Sequence, residues 1–456
     1  MKRIVWRWLA VSSLWFGALI GDAETRPQYG GTLHVAMRAS PSSLDPADNQ
    51  QSDSFARRSL SFLLFDGLVT SDDSGRAKPA LAESWQATRG SQRWQFRLRR
   101  GIAFDDGVPL TAEVAAASLR FANPGWNVTA EGDALVIDCK TPKPDLLMEL
   151  SLARNAIAKR DSNGVIGTGP FHIVEWQPGK KLRLAAAEDY WGGRPFLDAI
   201  EIEMGSDFRD QMTALQLGRA ELVEVAPEQM RRVSQEGRGL ESSPPMELLG
   251  LAFTRDVSSP EEKALREALA LSVERGSIRS VLLQGSGQPT ASILPTWMSG
   301  YGFVFPAAAD LAKARQLRGQ VRTAPTWTLS YDANDTMTKW VADRVALNAK
   351  DAGLSLQPTA SASADLRVVR IPMSSPDAWI SLEGITERVG LPAVKQADGT
   401  AEELYAAEQA ALATMRLIPL FHLPVSYDAR PRLHNWTIRT DGSLALADGW
   451  LEGATP

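Results

Sequence analysis

The side chains that most often do chemistry are sparse in this sequence. Four histidines, His34, His172, His422 and His434, are scattered without an H-x-x-x-H spacing, and the single cysteine is Cys139. One cysteine builds neither an internal disulfide nor a multi-cysteine zinc site. It lies in Ala134-Leu135-Val136-Ile137-Asp138-Cys139, which alternates like a strand, where a thiol behaves as a small hydrophobe. No G-x-S-x-G elbow presents a serine nucleophile. Gly167-Thr168-Gly169 lacks the third glycine of a dinucleotide loop, and Gly285-Ser286-Gly287 lacks the Gly-Lys-Ser/Thr of a phosphate loop. Carboxylates are plentiful, with 54 Asp and Glu, but an acid–base pair is defined by geometry rather than spacing. The pattern implies no catalytic residue, no metal site and no cofactor.

The elements that would position a binding site alternate between strand and helix. The apolar alternation at 30–37 and 93–98 predicts strands, as do 135–139, 181–185 and 200–204. Residues 54–65, 111–121 and 208–217 read as helices, the last stopped by Gly218. A second unit begins near residue 250. Ser259-Pro260-Glu261-Glu262 is a helix start with serine as cap and proline at the first helical position. Residues 326–331, 336–352 and 354–356 then read strand–helix–strand, the unit a parallel sheet needs. A strand at 366–371, a helix at 402–415 and a strand from 418 follow. The mixture implies an α/β architecture with more than one domain.

Five short runs punctuate the chain in order. They are Ser43-Leu44-Asp45-Pro46, Lys78-Pro79-Ala80-Leu81-Ala82-Glu83-Ser84-Trp85, Phe104-Asp105-Asp106-Gly107-Val108-Pro109-Leu110-Thr111-Ala112, Gly167-Thr168-Gly169-Pro170-Phe171 and Asp189-Tyr190-Trp191-Gly192-Gly193-Arg194-Pro195. Each alone is turn chemistry. Together the series resembles the family 5 extracellular solute-binding proteins, the peptide, oligopeptide and nickel class of ABC importers, from about residue 29 to the C-terminus. The resemblance implies a two-lobe periplasmic-binding-protein fold of type II, with mixed sheets flanked by helices and a hinge between lobes. It implies lobe 1 at 24–248, lobe 2 at 249–425, and a return to lobe 1 at 426–456, with crossings near 247–253 and 423–430. A subdomain common in the first lobe is expected in reduced form.

The same resemblance implies a small solute, peptide-like, delivered to a membrane ABC permease by a monomer. An opine, sugar or metal chelate is the alternative cargo, and solute sensing without transport the alternative role. It places Arg38 and Ser40 against ligand, just before Leu44-Asp45-Pro46. Trp297 and Tyr301 match a loop bordering the cleft, where their rings would supply flat walls. Arg370, Asp377, Trp379 and Tyr427 complete the implied site. Peptide-binding relatives keep an Asp for the ligand amine in the region of Asp377, but the Asp-Pro context is missing here. Trp85 and Trp191 are expected to pack inside the first lobe.

The N-terminus supports an extracytoplasmic location. Lys2, Arg3 and Arg7 precede an apolar run from Trp8 to Ile20, and Gly21 and Ala23 are small residues before Glu24. That is the pattern of a secretory signal peptide, residues 1–23, cleaved after Ala23. The absence of a nearby cysteine implies no lipoprotein anchor. Formal net charge is −5, and removing the three basic and one acidic residues of the leader leaves −7. A mildly acidic chain without basic clusters argues against a nucleic-acid partner.

Overall fold

The computed structural model describes residues 26–454, apart from 73, 74, 89, 163, 238, 302–304, 395, 397 and 398. The expected leader and its cleavage point lie outside the described residues. An eleven-stranded sheet organises the chain. Its path runs Phe171–Gln177, Lys181–Ala186, Ala199–Met204, Thr32–Met37, Leu222–Glu224, Leu417–Ala429, Gly239–Phe253, Leu366–Pro372, Thr326–Ser330, Ser355–Thr359, with Gln288–Pro289 added against Leu417–Ala429. Thr32–Met37 lies parallel to both of its neighbours, and Thr326–Ser330 is parallel to both of its own.

Burial explains the central strands. Thr32–Met37 sends Leu33, Val35 and Met37 into one core, while Ala36 joins Ala214, Leu215 and Val223 on the other face. A strand covered on both faces is the usual parallel arrangement. That first core also takes in Tyr427, Leu433, Trp436, Leu444 and Leu451 from the C-terminal segment. A second core joins Leu249, Leu251, Leu269, Trp327, Leu329, Val341 and Phe421. A third belongs to the segment from Leu68 to Ile157, with its own four-stranded antiparallel sheet. Trp85 and Trp191 pack against this third core.

Two long strands, Gly239–Phe253 and Leu417–Ala429, run antiparallel through the middle of the sheet. Their pairing is irregular between Ser242 and Glu247, around Pro244, Pro245 and Pro424. Proline has no N–H to give the ladder, so it sits at bulges. Ser243 repairs part of the break, since Val425 N–H donates to its Oγ at 3.0 Å and the hydroxyl donates to Pro244 O at 2.6 Å.

Half-buried carboxylates anchor three of the five runs. Asp66 accepts hydrogen bonds from Thr168 Oγ1 at 2.9 Å, Tyr190 OH at 2.9 Å and Trp191 Nε1 at 2.8 Å. It therefore ties the fourth run to the fifth. Burial pushes its carboxyl above the usual range, against the pull of those three donors. Asp45 takes Arg160 through both oxygens, at 2.6 and 2.8 Å. Gly167 has no alternative, because a Cβ there would sit 1.7 Å from Leu64 O.

Candidate functional site

A cavity of about 760 Å³ opens between the two halves of the sheet. One wall comes from the ends of Thr32–Met37 and Leu222–Glu224, the loop 52–55, and Phe208 at the start of the helix Phe208–Gln216. The other comes from Leu366–Pro372, the loop before the helix Thr336–Asp351, and the end of the helix Ala378–Arg388. The floor is the broken stretch of the long strands, with Glu247, Pro424, Val425 and Ser426. A second chamber of about 380 Å³ adjoins it and shares Asp53, Pro372 and Arg388.

Ion pairs dominate the walls. Arg38 leaves its strand with its backbone N–H on Glu224 Oε2 at 2.6 Å. Its guanidinium lies over the Phe208 ring, 5.3 Å from the centroid, and reaches Asp335 Oδ2 at 3.4 Å. From the opposite wall Arg370 Nη1 donates to the same oxygen at 2.9 Å. Arg370 also grips Glu247 Oε2 through Nε at 3.0 Å and Nη2 at 2.6 Å. Asp335 therefore joins one arginine from each side. It does so from a helix N-terminus, where its other oxygen accepts Met337 N–H at 3.1 Å and Thr338 N–H at 3.3 Å. Burial pushes the Asp335 carboxyl up, but Arg370 and Arg38 outweigh it and hold the group below its ordinary value. Burial likewise disfavours the Arg370 charge, and Glu247 and Asp335 overcome that too, raising its pKa.

Asp53 faces the cavity paired with Arg58, whose Nε reaches Oδ1 at 2.9 Å. Its carbonyl accepts Arg388 Nη2 at 3.1 Å from the opposite wall. Arg38 to Asp335 and Arg388 to Asp53 are thus contacts that span the cavity.

The structure gathers only part of the expected set. Arg38 and Arg370 line the cavity; Ser40, Trp297, Tyr301, Asp377, Trp379 and Tyr427 are not among its lining residues. Ser40 is exposed, beside the turn glycines Gly179 and Gly205. Trp297 donates Nε1 to Pro245 O at 3.1 Å. Tyr301 stacks edge-on with Tyr405 at 5.3 Å between centroids. Asp377 caps the helix Ala378–Arg388, accepting Ile380 N–H at 3.0 Å. Trp379 packs against the core of Met246, Ile371 and Leu382. Tyr427 is buried in the first core, and its neighbour Ser426 reaches the cavity instead. Asp335 carried a readable signal, an acidic cap before an apolar-striped helix. Glu224, Glu247 and Arg388 carried none, because Glu224 and Arg388 are single charged residues at the ends of ordinary elements and Glu247 is one inside a long strand.

Comparison with known proteins places this architecture. Residues 76–381 match the model for bacterial extracellular solute-binding proteins, family 5 middle region. The nickel-binding protein NikA of Staphylococcus aureus is 27% identical over 243 residues, 50% of this chain and 49% of that protein, so the match spans about half the relative's length. The probable D,D-dipeptide-binding periplasmic protein DdpA of Escherichia coli is 24% identical over 373 residues, covering 74% of this chain and 72% of the relative. The crystal structure of the same NikA with Ni(L-His)2 superposes with a TM-score of 0.82 at 16% identity, over 92% of this chain and 100% of that one. Haemophilus influenzae OppA in complex with RPPGFSPFR gives 0.80 at 16% identity, over 93% and 100%. The fold is therefore the two-lobe fold of periplasmic binding proteins, and the chain belongs to family 5 of the bacterial extracellular solute-binding proteins.

Proposed function

We propose that this protein captures a small peptide-like solute in the cleft between its lobes and delivers it to an ABC importer. The observation that carries the reading is the cavity itself. Its 760 Å³ lies within the range of about 300–1,000 Å³ typical of small-ligand sites. Both walls supply charged groups, and the walls meet through Arg38 and Asp335. Family membership supports binding rather than catalysis, and the dipeptide and oligopeptide relatives favour a peptide-like cargo.

In this reading lobe 1 spans 24–248, lobe 2 spans 249–425, and 426–456 returns to lobe 1. The hinge lies where prolines interrupt the long strands. The chain is a secreted monomer without a lipid anchor, freed of residues 1–23. Ligand touching both walls favours the closed arrangement by its differential affinity for it. Arg38 and Arg370 shape the site, with Trp297, Tyr301 and Trp379 outside its lining.

The test is a thermal-shift screen of the protein purified from the envelope fraction, with unblocked peptides of two to five residues. Ligand that binds only the native state stabilises it by about 2.7 kcal/mol at a hundred times its Kd. A melting temperature unmoved by every peptide refutes the peptide reading.

A further inference from the structure

Among the described residues, the charged side chains lining the cavity are ion-paired or exposed with two exceptions, and the exceptions have opposite signs. Arg38 and Arg370 are matched by Asp335 and Glu247. Asp53 is matched by Arg58. Arg367 and Asp332 are exposed, one of each sign, where water screens them. Glu228 lies outside this cavity, in a pocket with Arg231 and Trp340, and its burial favours the protonated form.

Glu224 and Arg388 remain. Glu224 ends the strand Leu222–Glu224 on the first wall. Its Oε2 is fixed by Arg38 N–H at 2.6 Å and by Gln211 Nε2 at 3.3 Å. Among the described residues no cation lies within ion-pair distance of it. Gln211 is itself wholly buried and its Oε1 accepts Glu224 N–H at 2.8 Å, so one amide holds both the backbone and the carboxylate of Glu224. Arg388 ends the helix Ala378–Arg388 on the opposite wall. Its guanidinium has the Asp53 carbonyl at 3.1 Å and no carboxylate within ion-pair distance among the described residues. Five N–H donors on a planar fork suit a carboxylate through two parallel bonds. A half-buried guanidinium with one neutral acceptor has most of that capacity unused.

We propose that Glu224 and Arg388 are the specificity-determining pair of the cleft, and that the ligand they select is a zwitterion, its ammonium held by Glu224 and its carboxylate by Arg388. This deepens the peptide reading and rests on it. A fixed, hydrogen-bonded carboxylate favours an ammonium, and a guanidinium with no carboxylate in direct contact, only the more distant charges of Asp53 and Glu247, favours an anion. A neutral solute would leave both charges unmatched in a closed cleft, which is costly. The two groups sit on opposite walls, so a ligand that satisfies both must bridge the lobes. Asp377 caps its own helix and does not line the cavity, so it is not required as the amine anchor.

The experiment is calorimetry on the full mature protein with a peptide that binds, beside its N-acetylated and C-amidated forms. Each block should weaken binding to the wild type by at least about thirtyfold, the effect of losing a buried charge-assisted contact. Glu224→Gln should lose as much for the free peptide and be indifferent to acetylation. Arg388→Gln should be indifferent to amidation. Thermal melts confirm that each variant is folded, and the blocked peptides on wild type need no variant. Wild type that binds blocked and free peptides equally overturns the proposal and leaves the peptide reading standing. Wild type sensitive to both blocks, with variants that stay sensitive to them, places the anchors elsewhere and overturns the assignment. If no unblocked peptide or amino acid binds at all, both the proposal and the reading fall.

Discussion

Glu408 and His422 should give the second lobe two opposing pH dependences that nearly cancel. Both groups are buried and both brace the same turn. Glu408 accepts the Ile293 and Leu294 N–H groups, the latter at 3.2 Å, while His422 Nε2 lies 3.0 Å from Ile293 O. Burial pushes the Glu408 carboxyl from its ordinary 4.5 to about 7. Burial pulls the His422 imidazole from 6.5 down to about 4. Between 4.5 and 7 the folded state holds the Glu408 proton more tightly than the unfolded chain does, so this contribution to stability falls as pH rises. Between 4 and 6.5 the unfolded chain holds the His422 proton more tightly, so that contribution rises with pH. At about 1.36 kcal/mol per pH unit, each swing is at most on the order of 3 kcal/mol. Across the shared window the slopes oppose, and the wild type should be nearly flat from this pair. Glu408→Gln should steepen the rise of stability with pH relative to wild type. His422→Gln should expose a fall. Urea denaturation at half-unit steps from pH 4.5 to 7 reads both as differences in slope, which a constant destabilisation by either variant does not alter. Slopes that match wild type in both variants would refute the assignment of these protons.

Three further outcomes follow from named contacts. Asp335→Asn leaves Arg370 and Arg38 short of an anion and should cost about 3–5 kcal/mol in urea denaturation; an unchanged midpoint would contradict the ion pairs at the cleft. Asp66→Asn sets an amide donor among Thr168, Tyr190 and Trp191, and should cost about 1–3 kcal/mol, with early loss of hydrogen-exchange protection in the fourth and fifth runs; uniform protection would argue against the tie. Asp377→Ala should cost about 1 kcal/mol of stability through its lost cap and leave peptide affinity unchanged, so a large affinity loss in calorimetry would restore it as a ligand contact.

The legible parts of this chain are those governed by local rules. Ser54, Thr111 and Ser259 cap helices because their hydroxyls reach a backbone N–H three residues on, and that arrangement is written in adjacent letters. The five runs were legible as a series, yet their cause was not. Asp66, which binds two of them together, lies in none. The long strand Gly239–Phe253 was hidden because Pro244 and Pro245 argue against a strand. They are tolerated here only because a bulge and the Ser243 hydroxyl absorb the missing pairings. At the site, Arg38 was placed by the run that follows it, whereas Arg388 owes its position to where a whole helix ends across the cleft. Trp297 and Tyr301, on a well-matched loop, meet the Pro245 carbonyl and the Tyr405 ring, contacts that no adjacent letters announce.

The two polar contacts described across the cavity are too weak to keep the lobes shut by themselves. The Arg38 side chain is 33% exposed where it meets Asp335, and a partly solvated pair of that kind contributes about 1 kcal/mol or less. The Arg388 bond to the Asp53 carbonyl has a neutral acceptor and adds about 1 kcal/mol at best. Taking an open-to-closed ratio from 99:1 to 1:99 needs about 5.5 kcal/mol of differential binding, more than both contacts together. A ligand that offers a carboxylate to Arg388 and an ammonium to Glu224 draws on both walls at once, and the two interactions cannot both be completed while the lobes stand apart. The selecting charges and the closing force would then be the same two side chains, so a solute with one matching end would bind without closing the cleft.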